Sequence, residues 1–381
     1  MDKKNREPLL RVSRRDSIVW YRAWAIRLLS VVLALIVCAF VIYAIVAMNP
    51  LKVYDAMWQG AFGSARRTWI TARDAMMLLC IGVGLAPAFR MRFWNIGAEG
   101  QILVGGIATA ACMIYLGKYM PTWLLLIVMA VCSLLAGAVW GFLPALFKAR
   151  WDTNETLFTL MMNYIAIQLT SFFVAKWEHP AGSNSVGIIN SGTKEGWFPA
   201  VFGQQYMLNV IIVLVLAVLM FIYLRSTKHG FEIAVVGESE NTARYAGINV
   251  KKVIVRTMCL SGAICGLSGF LAVSGASHTI STTTAGGRGF TAIIVAWLAK
   301  FNTFVMILIS FLLVFLEKGA SQIASQYNLN EYASKVITGI ILFFILGSEF
   351  FINYRITPRH HAHAAQAEKS EQPEKKEEKK A

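Results

Sequence analysis

The sequence predicts an all-α polytopic membrane protein with about ten transmembrane helices. Three observations predict it. Of 381 residues, 56% are hydrophobic and 15% charged, with a mean hydropathy of +0.55; soluble domains carry about 25% charged residues. Several apolar runs reach about 20 residues, enough to cross a hydrocarbon core of roughly 30 Å as helix. The clearest is Leu28 to Met48, with others near Trp123 to Phe147, Tyr206 to Leu224 and Val336 to Phe351. Finally, Lys and Arg gather between alternate runs, the mark of a cytoplasmic face. One such run fits inside a soluble core, but several in series do not.

Taken in order, spans are expected at 28–48, 69–89, 96–116, 122–147, 156–175, 206–224, 254–274, 290–300, 303–325 and 335–353. Residues 1–27 form a basic arm (Lys3, Lys4, Arg6, Arg11, Arg14, Arg15, Arg22, Arg27), and 28–353 the transmembrane domain. Residues 354–381 form a tail expected to be disordered. Ten spans put both termini on one side. The short turns at Arg90/Arg92 and Lys148/Arg150, the loop 225–253 and Lys300 then share the cytoplasmic side with the arm and tail. The net charge of +15 is thus a sidedness signal and implies no nucleic acid partner. The first apolar run follows a long arm, with no small-residue cleavage site after it, so it is read as a retained span. All six cysteines lie in apolar stretches without a CxxC pair and are read as packing residues. The tail histidines His360, His361 and His363 are not read as a functional metal site, and no other metal site is expected.

Two spans are interrupted. Asn95-Ile96-Gly97-Ala98-Glu99-Gly100-Gln101 brings polar and glycine residues to the start of one, and Ala285-Gly286-Gly287-Arg288-Gly289-Phe290 does so before an unusually short one. Broken helices at membrane depth need protein or water around them, because lipid cannot satisfy open backbone groups. In transporters they often mark the solute path. Ionisable and amide side chains inside spans are functional candidates. Glu99 leads, with Asn95 and Gln101 beside it, and Asn154, Glu155, Asn163 and Tyr164 form a second group. Phe290, Trp94 and Tyr164 are aromatic candidates for stacking. Two alternatives stay open: Glu99 as a cap for broken-helix N–H groups, and Asn154 and Glu155 as helix caps at the headgroups. Gly137-x-x-x-Gly141 and Gly262-x-x-x-Gly266 are read as packing faces within the bundle. The segment 177–205 is the longest extracytoplasmic loop, either a docking surface or gate, or a solvated connector.

In the cytoplasmic loop, Ser239 can cap a short helix running through Thr242, Ala243 and Tyr245, with Gly247 to end it. A short capped helix at that face suits a push received from a soluble motor; an ordinary connector fits as well. No Gly-x-x-x-x-Gly-Lys-Ser/Thr motif occurs, so the chain itself holds no nucleotide by a P-loop. No Ser/His, HExxH or paired-Asp set lies within the spans, which argues against an intramembrane enzyme. A self-powered secondary transporter would need a coupling-ion site and usually internal repeats; no clear repeat is seen.

The blocks FWNIGAEGQILVGG, DTNETLFTLMMNYIA, VGESENTARYAGINVKKVIVRTMCLSGAICGLSG and GGRGFTAIIVAWL occur in that order. Together they resemble the permease subunits of ABC importers in the branched-chain amino acid and simple-sugar group. They are most similar to the nucleoside-transport branch, and within it to the longer of two paired permeases. The resemblance covers about residues 28–353 and implies a transport subunit, not an enzyme. It implies a cytoplasmic ABC ATPase that carries ATP and Mg, a second homologous permease, and an extracytoplasmic solute-binding lipoprotein. It implies no cofactor on this chain, and a bacterial inner-membrane location with both termini cytoplasmic. Nucleosides are the implied cargo, with simple sugars or another small polar solute as the alternative. The family's coupling role falls on Gly237, Glu238, Ala243, Arg244, Ala246 and Gly247. Glu238-Ser239-Glu240-Asn241 departs from the commoner Asn-Pro pair there, and WLAKFNTF from a Gly-Arg-Asn-Asn-Pro turn.

Overall fold

The computed structural model describes residues 10–15, 19–46, 49–327, 336, 339–341, 343–344, 347–348, 350–352 and 354–358. The chain forms two compact units, Met57–Gly319 and a second made from both ends, Met1–Ala56 with Ala320–Ala381.

In the unit of chain ends, β1 (Leu10–Arg14) pairs antiparallel with β2 (Tyr354–Pro358), with Val12 opposite Ile356. Val12, Ile356 and Thr357 are β-branched, which suits a pleated ribbon. The sequence pattern assigns residues 354–358 to the unstructured tail, yet they are the partner strand. The remaining tail with its histidines, the first residues of the arm and much of the expected span at 335–353 lie outside the described residues. Helix α1 (Trp20–Val46) covers the expected first span from residue 28 to residue 46. The Tyr54 hydroxyl donates to the Leu35 carbonyl on α1. Helix α2 (Pro50–Phe62) has no counterpart among the expected spans, because Lys52, Asp55 and Gln59 break its apolar run.

The large unit holds α3 (Ala65–Arg90), α4 (Ala98–Leu116), α5 (Thr122–Trp151), α6 (Glu155–Lys176), α7 (Met207–Ser226), α8 (Lys228–Glu238), α9 (Glu240–Tyr245), α10 (Val250–Ala272), α11 (Arg288–Leu298) and most of α12 (Thr303–Gln326). A π-helical turn, Val273–Ser277, extends α10. Among the described residues, seven helices are long and apolar enough to cross a membrane: α3 to α7, α10 and α12. The expected span at 290–300 is the 11-residue α11, about 16 Å long at 1.5 Å per residue and too short to cross alone.

Helices α3 and α10 are central, with 89% and 83% of their apolar windows buried, against 28% for both α5 and α7. Glycine lets α10 approach its neighbours at backbone distance. A Cβ on Gly137 would lie 2.2 Å from the Gly262 carbonyl, and one on Gly105 would lie 2.2 Å from that of Gly266. Both small-residue motifs therefore meet each other, α5 against α10, inside one unit.

Segment 177–205 is folded rather than a bare connector. The Ile189 N–H donates to the His278 carbonyl (2.8 Å) and the Phe198 N–H to the Ser274 carbonyl (3.2 Å). The Trp197 ring stacks on His278 at 3.8 Å. The loop thus covers the π-helical end of α10.

Candidate functional site

After α3 the chain runs non-helically from Phe93 to Gly97 before α4 begins. Several of its open backbone groups are met by side chains, as a buried segment requires. Asn163 of α6 accepts from the Gly100 N–H (2.8 Å) and donates to the Ile96 carbonyl (2.9 Å). The Thr159 hydroxyl accepts from the Ile96 N–H at 3.2 Å. The side-chain amides of Asn95 and Gln101 exchange two hydrogen bonds of 3.3 Å, and Asn95 donates to Ser261 of α10 at 3.1 Å. Asn95, Gln101 and Asn163 are all buried.

Glu99 joins the two interrupted segments. Its carboxylate oxygens accept from the Gly287 N–H (2.6 Å) and the Gly289 N–H (2.8 Å), at the start of α11. A negative group at a helix N-terminus meets both the unpaired donors and the helix dipole. Gly289 is required for the approach, because a Cβ there would sit 2.5 Å from the Glu99 backbone nitrogen. Of the two readings of Glu99, the capping one is what its bonds display. Glu99→Gln turns one acceptor oxygen into a donor facing an N–H. It should cost about 1.5–3 kcal/mol, the range of a hydrogen bond to a charged group. Thermal melting of the purified chain would check this; an unchanged melt with failed uptake would instead make Glu99 a solute contact.

Asn95, Glu99, Gln101 and Asn163 therefore come together, whereas the other path candidates lie apart. Asn154 caps α6, accepting from the Leu157 N–H at 3.1 Å. Glu155 lies 3.2 Å from the Lys148 ammonium in the α5–α6 turn. Tyr164 is 64% exposed and Phe290 44%, so both face away from the unit's core. Trp94 stacks on Trp297 at 5.3 Å.

One cluster is absent from the sequence-based candidates. Asp74 of α3 is buried, with its carboxylate 2.6 Å from Lys318 of α12, 2.8 Å from Arg73 and 3.6 Å from Arg288 of α11. Three cations thus surround this one anion, and Arg288 ties it to the start of α11, where the Glu99 carboxylate also sits. The signal was available: Asp74 and Lys318 are ionisable residues inside expected spans, which mark function by default.

At the basic face, Thr227 caps α8 by accepting from the Gly230 N–H (3.1 Å), and Ser239 caps α9 by accepting from the Thr242 N–H (3.2 Å). Gly247 ends the pair at φ +76°, a left-handed value that favours glycine. The short capped helix expected from Ser239 and Gly247 is present, and α8 adds a longer one before it. Gly237 packs on the end of α3, where a Cβ would meet the Arg90 carbonyl at 2.1 Å. Ala243 is also buried, while Glu238, Arg244, Ala246 and Gly247 are exposed. Tyr245 between them is 94% exposed, which its neighbours in sequence did not signal. Arg244 pairs with Glu240 at 3.4 Å. Behind the loop, His229 is 2.8 Å from the Tyr223 hydroxyl. Burial, and then the Arg256 charge, lowers its pKa, which favours a neutral ring.

Residues 69–346 match the family described as branched-chain amino acid transport system, permease component. The chain is 30% identical over 298 residues to the guanosine ABC transporter permease protein NupP of Bacillus subtilis, covering 77% of this chain and 85% of that one. It is 26% identical to the nucleoside ABC transporter permease protein NupB of Lactococcus lactis subsp. cremoris, covering 90% and 97%. It is also 26% identical to the glucose ABC transporter permease protein TsgB13 of Haloferax volcanii, covering 91% and 93%. No solved structure matches. With seven helices among the described residues fit to span a bilayer and a family match over most of its length, the chain belongs to the permease components of the branched-chain amino acid transport system family.

Proposed function

We propose that the chain is the membrane-embedded permease of a bacterial ATP-driven importer that carries nucleosides to the cytoplasm. The observation that carries this reading is the 30% identity to a guanosine permease across 77% of the chain, with a nucleoside permease also similar over 90%. A glucose permease covers 91% of the chain at 26% identity, so a simple sugar is the second reading. ATP and Mg are held by a separate cytoplasmic ATPase, because this sequence carries no P-loop. A second, homologous permease completes the membrane part, and an extracytoplasmic lipoprotein delivers the solute.

The basic face is cytoplasmic in this reading, with both termini on it. The capped helix α9 takes the ATPase's push through Glu238, Arg244, Ala246 and Gly247, while Gly237 and Ala243 seat it against the membrane helices. Tyr164 and Phe290, both exposed on the surface of the large unit, offer aromatic faces to a nucleobase. Asn95, Glu99, Gln101 and Asn163 hold the interrupted segments in place.

Uptake of radiolabelled nucleoside by cells expressing the complete system tests this. Excess unlabelled nucleoside should compete and excess glucose should not; the reverse would move the cargo to sugars. In the same assay Gly247→Val should insert normally yet accumulate little solute. The helix end it distorts costs roughly 1–2 kcal/mol in the left-handed region, too little to unfold the domain. Normal accumulation in that variant would remove the coupling role from α9.

A further inference from the structure

A cavity of about 500 Å³ opens on the basic face of the large unit, lined by Arg90, Arg225, Lys300, Phe221, Phe231 and Asn302 among others. Its three cations come from separate elements. Arg90 is the last residue of α3, Arg225 lies in the last turn of α7, and Lys300 sits in the turn between α11 and α12. No Asp or Glu is among the described residues that line it. Lys300 and Phe301 are held at φ +49° and +61°, two successive non-glycine residues in the left-handed region. Strain of that kind persists where the surroundings impose it and gathers at ligand clamps.

We propose that this cavity binds the phosphodiester headgroup of an anionic membrane phospholipid. Depth favours lipid. Two spans end and a third begins at this rim, so the rim lies where helices leave the hydrocarbon. Basic pockets between transmembrane helices at that level suit anionic headgroups, and guanidinium forks match phosphate oxygens. Phe221, Leu224 and Phe301 supply apolar wall. The remaining wall is α8, through Gly230, Phe231 and Ala234. A bound headgroup therefore ties α8 to the ends of α3 and α7, next to the capped helix α9. The inference is independent of the cargo and needs only that these helix ends lie at headgroup level.

The test uses the full-length chain in nanodiscs of mixed phosphatidylcholine and phosphatidylglycerol, with lipid retention read by native mass spectrometry. The variant Arg90→Gln/Arg225→Gln/Lys300→Gln should retain phosphatidylglycerol on the order of a hundredfold less, from the loss of three cationic contacts. Lys118→Gln/Lys194→Gln should retain it as the wild type does. Melting in phosphatidylcholine alone shows whether the triple variant is folded, and Arg225→Gln alone stands in if it is not. Unchanged retention in the variants overturns the proposal. Displacement of the lipid by inorganic phosphate would assign the cavity to a free phosphate. Unchanged retention with loss of ATPase co-purification would make it a protein contact.

Discussion

Gly262→Val is expected to abolish folding of the permease. Even the first side-chain carbon would lie 2.3 Å from the Gly137 carbonyl and 3.1 Å from the Gly141 Cα. Both obstacles are backbone, so no rotamer change relieves them, and α5 must move off α10. Overpacking a core costs typically 1–3 kcal/mol and occasionally more; with backbone on the opposing side the upper end, about 3 kcal/mol, is the minimum here. Fluorescence-detected size exclusion should show aggregate in place of a monodisperse peak. Gly192→Val, where nothing lies within 4 Å of the added carbon, should be silent. A Gly262→Val chain with wild-type melting would mean that the α5–α10 contact is not as close as described.

Asp74→Asn is expected to destabilise on a similar scale. The side chain is buried and is the counter-charge for Lys318, Arg73 and Arg288. Breaking a buried pair from one side costs about 3–5 kcal/mol, because the remaining charge is left uncompensated. Lys318→Met on its own should cost less, since Asp74 keeps two arginines. The double variant Asp74→Asn/Lys318→Met should recover part of the loss, as coupled neighbours do. Strictly additive melting shifts would show that the Asp74–Lys318 contact carries no energy.

Much of this was legible in the sequence where the governing interaction is local. Ser239 and Gly247 cap and end a helix through groups a few residues away, so their spacing was enough. The two glycine motifs announce close packing by their four-residue period, and they turn out to face one another. What local patterns could not supply is the partner. Glu99 accepts from Gly287 and Gly289, nearly 190 residues on. The sequence identified both irregular segments but not that one caps the other. Asn163, equally plausible as a solute contact, is consumed by the backbone of Ile96 and Gly100. Asp74 could have been found, but a single carboxylate in an otherwise apolar run was outweighed by its neighbours. Helix α2 escaped because a 13-residue amphipathic helix looks, by hydropathy alone, like a loop.

The ribbon formed by Leu10–Arg14 and Tyr354–Pro358 has a topological corollary. Two strands in one ladder must share a compartment, so the polypeptide between them traverses the bilayer an even number of times. A reporter fused to either end should therefore give the same readout. Opposite readouts from the two fusions would be incompatible with the ladder, whatever the tally of helices.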